Sequence, residues 1–455
     1  MSRRNIAWVL GIVAFSLLGL VVVANAPSRE NDRDYELVRL VVDVLHEVRN
    51  RYVTEVSPQR ERKLVEDMIN GGLERLDPHS TFINNRDLKQ FNRTSKGKFG
   101  GIGVQVGYDR NNRGLLTVIS PMVGTPAYEA GVLAGDIILK IDGKNADSMR
   151  LDEAVDMIQG DPDTTITLTV LHDGGKEPVD IPIRRSIIKV QSVLGDRRKE
   201  NKDWDYYLDD KSRIGYLRIT SFSETAAAEV RQIIIAQQKE GLRGLILDLR
   251  NNPGGLLRAA VEIADMFLTE GKIVSTRGRY QQEEIIEARP EGTMLLPAER
   301  YPIAVLINRN SASASEILAA ALQDHHRAVV IGERSFGKGS VQNIIDLENK
   351  SSALKLTTAS YWRPSGKNIH RFPDSKETDE WGVKPDAGYE VALKDEERLE
   401  FLMDRSERDI IRDKKTTEAK PGKKPHVDKV LQKAVEYING KAEKAMADGL
   451  TQGAS

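Results

Sequence analysis

The sequence predicts a layered α/β core with a smaller, mainly-β unit ahead of it and helical segments at both ends. Three observations carry this. Residues 187–395 alternate short apolar strands with longer amphipathic helices, the pattern of an α/β layered domain. Residues 93–186 hold short Ile/Val-rich runs separated by glycine turns. Residues 35–92 and 396–455 carry charged sequence with helical periodicity instead.

Composition sets the outer bounds. The chain has 455 residues, 40% hydrophobic and 30% charged, with a formal net charge of −1. These are globular values, and nothing in the balance favours nucleic acid. There is no cysteine, so disulfides, thiol catalysis and zinc-type Cys/His spacing are excluded. No metal or cofactor is expected.

The elements follow in order. Arg3 and Arg4 precede an uncharged apolar run over residues 6–24. Basic residues before such a run mark an export signal. Ala24-Asn25-Ala26 has the small-x-small form of a cleavage site, yet the run nearly spans a bilayer. A cleaved signal and an uncleaved anchor both fit residues 1–26. Either places the rest of the chain outside the cytoplasm, on the periplasmic side of a cell envelope. Residues 27–34 read as a polar tether. Leu37, Leu40, Val41, Val44, Leu45 and Val48, then Leu64, Met68, Ile69 and Leu73, recur at i, i+3, i+4 spacing and predict two amphipathic helices. Asp77-Pro78 ends them, since the residue before proline resists helix. His79 reads as a turn residue.

The second unit opens on Phe99-Gly100-Gly101-Ile102-Gly103-Val104-Gln105-Val106. Strands are expected at 115–119, 136–141 and 165–171, with helices at 127–130 and 151–159. The third unit has expected strands at 214–219, 245–249, 303–307, 328–331 and 354–359. Its helices are expected at 226–240, 257–268 and 315–323. Beyond residue 395, helices are expected at 394–412 and 429–448, joined by a lysine- and proline-containing linker. This tail reads as a solvated face or a packing arm with no assigned chemistry.

The chemistry lies in two segments. Ser313 sits in Asn308-Arg309-Asn310-Ser311-Ala312-Ser313-Ala314-Ser315-Glu316, and Lys338 in Ser335-Phe336-Gly337-Lys338-Gly339-Ser340-Val341-Gln342. A serine hydroxyl needs a base held against it to act as a nucleophile. A lysine with its ordinary pKa of about 10.4 is protonated and useless for that. Apolar burial favours the neutral amine. Taken singly, a Ser-Ala-Ser run is a helix N-terminus and a Gly-Lys-Gly is a turn. Their company changes the reading. Upstream stands Leu247-Asp248-Leu249-Arg250-Asn251-Asn252-Pro253-Gly254-Gly255, and downstream Trp381-Gly382-Val383-Lys384-Pro385-Asp386.

Over roughly residues 35–390 these motifs, in this order, closely resemble the carboxyl-terminal processing (tail-specific) serine proteases. Residues 93–186 resemble a PDZ domain, inserted in sequence between the helical region (35–92) and the α/β core (187–395). The resemblance implies Ser313 as nucleophile, Lys338 as general base and Gln342 as the residue that holds the lysine. It implies the backbone amides of Gly255 and Ala314 as oxyanion donors. It implies that Gly101, Ile102, Gly103 and Val104 form the loop that captures a substrate's C-terminal carboxylate. Ile102, Val104 and the apolar face of helix 151–158 are candidates for the pocket of the last side chain. A histidine alternative at Asp324-His325-His326 has no support beyond its nearness to Ser313 in sequence. Glu316 and Asp248 read as structural. The expected activity is an extracytoplasmic serine endopeptidase acting on polypeptides with free C-termini. The alternative is a catalytically silent, peptide-binding envelope protein. Expected partners also include the membrane, if the N-terminal segment stays uncleaved, and further copies of the chain through terminal helices.

Overall fold

The computed structural model describes residues 30–109, 114–209, 211–279, 282–289, 295–411 and 426–452. The export segment 1–26 lies outside the described residues, as do residues 27–29 of the tether and most of the linker near 412–425; residues 30–34, read as tether, are helical. Among the described residues no helix is long and apolar enough to cross a membrane.

The chain divides into two units at Phe82. The first holds helices Glu30–Arg51 and Pro58–Glu74. Ser57 starts the second helix: its hydroxyl accepts from the Arg60 amide, and Pro58 sits in the first turn, where no amide is needed. Asp77 then builds the turn, accepting from the amides of His79 and Ser80 and from the Ser80 hydroxyl. His79 is therefore a turn residue, as the sequence suggests.

The second unit contains both the mainly-β domain and the α/β core. In the former, strands Val104–Asp109, Leu115–Pro121, Ile137–Ile141, Thr165–Leu171 and Val179–Arg184 pair in that order, all antiparallel. Alternate residues point inward, so Ile166, Leu168 and Val170 are fully buried in one core with Leu116, Val118 and Ile138. Strand Val104–Asp109 is an edge. Helices Pro126–Glu129 and Leu151–Ile158 complete the PDZ-like count.

In the core, strands Ile214–Ile219, Gly244–Asp248, Ile303–Ile307 and Val329–Gly332 run parallel, and Val193–Leu194 adds an antiparallel edge. A parallel sheet must be covered on both faces. Leu245, Leu247 and Leu249 face one layer, formed by helices Ala226–Lys239, Leu257–Asp265 and Ala314–Asp324. Ile246, Ala304, Leu306 and Ile331 face the other. The helix Lys429–Gln452 covers that second face, burying Val430, Ala434 and Ile438 completely or nearly so. A side chain at Gly244 would stand 2.5 Å from Ile438, so the glycine lets this helix approach. What reads as a charged tail is thus partly a layer of the core.

A further antiparallel sheet takes in the strand expected at 354–359 and adds strands that the sequence reading did not expect. Lys272–Gly278 pairs with Glu284–Glu287 and with Ser352–Trp362, and the last pairs with Ser340–Leu347. The hairpin 340–362 turns at Glu348, Asn349 and Lys350, all at positive φ (48°, 52° and 68°) without a glycine or proline to announce it.

The chain after residue 395 is also tied to the core by charge. Arg250 is bound bidentately by Asp428, at 2.8 and 2.9 Å, and Arg218 donates to Asp409 at 2.6 Å. Burial pushes the Asp428 carboxyl up, but the Arg250 guanidinium outweighs it and holds the carboxyl below the usual aspartate range.

Two outcomes follow for stability. Ile438→Ala should cost about 2–5 kcal/mol in a denaturant titration, whereas truncating a solvated tail residue would cost nothing measurable. An acid depressed in the folded state contributes stability above its unfolded pKa of about 3.9 and loses it as pH falls through the lowered value. The Tm gap between wild type and Asp428→Asn should therefore be constant near neutrality and shrink below about pH 4.

Candidate active site

Ligands of open parallel sheets bind beyond the carboxyl ends of the strands. Two loops meet there. Residues 249–256 follow strand Gly244–Asp248, and residues 308–313 follow its neighbour Ile303–Ile307. Asparagines stitch them together. Asn308 accepts from the Asn251 amide at 2.9 Å and donates back to the Asn251 side chain at 3.0 Å. The Asn252 carbonyl accepts from the Ala312 amide and the Ser315 hydroxyl, both at 3.0 Å. Asn252 also fixes its own loop, accepting from the Gly254 amide at 2.8 Å.

Ser313 caps the helix Ala314–Asp324 at φ 56°, ψ −116°, a conformation disfavoured for any side-chain-bearing residue. It is partly exposed, whereas Ser311 and Ser315 are buried and donate to Leu249 and Asn252 carbonyls. Only Ser313 of the three is open to a substrate. Gly254 lies directly against it: a Cβ there would meet the Ser313 Cβ at 2.8 Å and the Ala314 nitrogen at 3.0 Å. Gly255 has φ 143°, and a Cβ on it would run into the Phe222 carbonyl at 2.4 Å. Phe222 and Leu256 clamp this pair through bonds Phe222 N to Gly254 O and Leu256 N to Phe222 O. Those bonds use neither the Gly255 nor the Ala314 amide. Ala314 is the first residue of the helix, where amides lack intrahelical partners and the dipole favours negative charge.

Lys338 is brought to Ser313 by a residue first read as structural. Glu316 is fully buried in the first turn of the serine helix. One carboxylate oxygen accepts the Ser313 amide and the Lys338 amide, each at 2.8 Å. The other accepts the Ser335 hydroxyl at 2.6 Å and the Gly337 amide at 2.7 Å. The backbones of Ser313 and Lys338 thus share one oxygen atom. Burial pushes the Glu316 carboxyl above the usual carboxylate range, against the downward pull of these four donors. The donor count cannot be read from sequence, although Glu316 stands three residues after Ser313, the spacing of a capping box.

The two glycines beside Lys338 have different reasons. Gly337 is at φ 89°, while Gly339 has no room: a Cβ there would meet the His370 nitrogen at 2.3 Å. Trp381-Gly382-Val383 closes the site from behind. The Ser335 hydroxyl accepts from the Val383 amide at 2.7 Å, and Arg334 lies 3.4 Å from the Trp381 ring. Gln342 is on strand Ser340–Leu347. Its amide nitrogen donates to the Ser340 hydroxyl at 2.8 Å and carbonyl at 3.1 Å, which leaves its oxygen as the end that can accept from an amine.

The histidines fall elsewhere. His325 caps the far end of the serine helix, ~18 Å from Ser313 at ~1.5 Å per residue, with Nε2 2.7 Å from the Lys272 carbonyl oxygen. Asp248 is also away from the reacting groups, buried against Arg250 and the Tyr216 hydroxyl. Among the described residues no three His, Asp or Glu side chains converge as metal ligands.

In the mainly-β domain, Gly101 ends one strand and Val104 begins the edge strand. Val104 faces Pro121 across the ladder, while the Gly103 carbonyl accepts from the Met122 amide at 2.9 Å. That register turns the Val104 backbone groups away from the sheet, toward an added strand. The Ile102 side chain is fully buried in the domain core, so it cannot wall an open pocket; Val104 is half-buried and can. Gly103 has φ 78°, and even a methyl there would meet Thr125 at 2.3 Å. A bulky residue at 103 would break the loop rather than merely block it.

Comparison with known proteins identifies the family. The profile of Peptidase family S41 matches residues 213–388, and that of the PDZ domain matches residues 117–171. The chain is 41% identical to the carboxy-terminal-processing protease of Bartonella bacilliformis over 425 residues, 90% of each chain. It is 34% identical to the carboxyl-terminal-processing protease of Synechocystis over 76% of this chain and 75% of the relative. Of solved structures, the photosystem II D1 C-terminal processing protease matches at 28% identity and TM-score 0.41, covering 76% of this chain and 86% of that one. With a peptidase core and a PDZ domain matched in that family, and relatives this similar over most of their length, the chain belongs to the carboxy-terminal-processing serine proteases.

Proposed function

We propose that this protease hydrolyses peptide bonds by a Ser313–Lys338 dyad, outside the cytoplasm, on polypeptides recognised by their free C-termini. The observation that carries the reading is the single Glu316 oxygen shared by the Ser313 and Lys338 amides. In this mechanism the neutral Lys338 amine takes the proton of the Ser313 hydroxyl as its oxygen attacks the scissile carbonyl. The amides of Gly255 and Ala314 stabilise the tetrahedral oxyanion. The lysine ammonium then gives its proton to the leaving amine, and water resolves the acyl-enzyme by the same steps. Gln342 steers the amine without a negative charge, which would stabilise the ammonium form and spoil the base. The export reading rests on Arg3, Arg4 and the apolar residues 6–24. Self-association is supported by the helix Glu30–Arg51, where Leu37, Val38 and Leu40 are each more than half exposed.

The dyad is tested by substitution. Ser313→Ala and Lys338→Ala should each lower kcat by on the order of 10⁶-fold in folded protein, and the double variant should be no worse than either. A base that must be neutral gives a rate that rises with pH. His325→Ala should keep the wild-type pH profile; a folded but inactive His325→Ala would overturn the lysine assignment. Glu316→Gln places an amide donor against amide donors. It should destabilise the fold by about 1–3 kcal/mol and lower kcat at unchanged substrate length preference. Recognition of the tail is tested separately with paired peptides. Amidation removes the terminal charge, so an amidated peptide should be cleaved more slowly than its free acid, and equal rates would show that the C-terminus is not read.

A further inference from the structure

The glycine loop that presents Gly255 is conformationally costly. Asn251, Gly254 and Gly255 all have positive φ, at 59°, 102° and 143°. Such backbone persists only where its surroundings fix it. On one side it is fixed by the stitches to residues 308–315. On the other side it begins at Arg250, whose side chain is held both by Asp248 on its own strand and by Asp428 near the end of the chain.

Arg250 is almost fully buried. Its guanidinium bonds Asp248 at 2.6 to 3.1 Å, which ties it to the end of its own strand, where Asp248 also accepts from the Tyr216 hydroxyl. The bonds that leave the segment go to Asp428, one from each terminal nitrogen. Phe401, on helix Asp395–Asp409, lies under the same guanidinium at 4.3 Å. Asp428 also caps the helix that covers the sheet, accepting from the Leu431 amide at 3.0 Å. A buried arginine gripped on two edges has one orientation. The residue after it, Asn251, starts the run of positive φ.

We propose that Asp428 is a positioning residue for hydrolysis: acting through Arg250, it sets the loop that aims the Gly255 amide at the oxyanion. This rests on the Ser–Lys reading above and adds to it a requirement supplied from outside the matched peptidase region. Asp428 touches no reacting atom. Its loss should loosen the oxyanion donor and leave substrate capture by the PDZ domain as it was, so the effect belongs in kcat and not in KM.

Asparagine is the informative replacement. It caps a helix as well as aspartate does, so Asp428→Asn keeps the helix start and removes the charge and one acceptor. On the full chain, kcat and KM are measured with a fluorogenic peptide bearing a free C-terminus. The inhibition constant of a peptide boronate, whose adduct on Ser313 occupies the oxyanion position, is measured beside them. Asp428→Asn should lower kcat by on the order of 10- to 100-fold, a fraction of the loss of a whole donor. It should weaken the boronate by a similar factor and leave KM within about two-fold. Asp428→Glu should recover part of the loss. Should Asp428→Asn not fold, Phe401→Leu, which removes the ring beneath the guanidinium and keeps the site apolar, is read in the same way. Wild-type kcat in a folded variant would overturn the proposal, as would a loss confined to KM or a boronate affinity that does not change. A wild-type chain that cleaves nothing, or a Ser313→Ala chain that still cleaves, would instead refute the protease reading on which it rests.

Discussion

The catalytic geometry depends on one buried carboxylate. Glu316 accepts four hydrogen bonds, and three of them come from backbone amides of Ser313, Gly337 and Lys338. Backbone donors have no rotamers to lose, so the carboxylate fixes the main chains of Ser313 and Lys338 together. The remaining bond, from the Ser335 hydroxyl, extends the grip to Val383 and hence to the Trp381 loop. A carboxylate this deep is costly to bury. The cost is offset because each lone-pair direction meets a donor, the condition under which buried charge is tolerated. The carboxylate is held by three backbone amides and one hydroxyl, so it organises both segments through their main chains.

The same logic of placement runs through the carboxyl edge of the parallel sheet. The loops that follow two adjacent strands cannot diverge at their first residues, because the strands are hydrogen-bonded to their ends. Asp248 pairs with Leu306 in the ladder, and Leu249 donates to Leu306 immediately afterwards. The asparagines at 251, 252 and 308 then replace sheet hydrogen bonds with side-chain ones. The chain is thereby free to take positive φ at the glycines while remaining registered to Ser313. In the PDZ domain the open edge is handled differently. The Val104 backbone is left unpaired toward one side, and the core beneath it is closed by Ile102.

Much of this was legible in the sequence, for identifiable reasons. Strands 214–219, 303–307 and 165–171 are found where apolar β-branched runs predict them, because buried strands have no other way to be written. Ser313 and Lys338 stand in long motifs whose glycines have steric reasons visible in the structure. Three things were not legible. Strand Ser340–Leu347 is exposed along most of its length, so it carries no burial pattern. The following turn uses Glu, Asn and Lys at positive φ, and sequence gives little warning of that. Glu316 looks like a helix cap, and its real task is set by residues near 335–338 that come close only in the folded chain.

Of the two readings of the charged tail, a solvated face or a packing arm, the structure favours the packing arm for the helix Lys429–Gln452. Helix Lys429–Gln452 carries Lys429, Lys433, Glu436 and Lys441 among its apolar residues, so charge interrupts its apolar pattern in the sequence. Val430, Ala434 and Ile438 form its fully buried stripe at four-residue spacing, with Leu431, Val435 and Tyr437 partly buried beside it. The stripe packs on Ile246, Ala304 and Leu306, and Gly244 lets the helix close in. The consequence is topological. The central strands of the sheet are made between residues 214 and 332, yet one of their faces stays open to water until a helix beginning at Lys429 arrives. The last layer of the core and the clamp on Arg250 come in with the same helix, so the sheet's second face and the far anchor of the Gly255 loop are completed in one packing step.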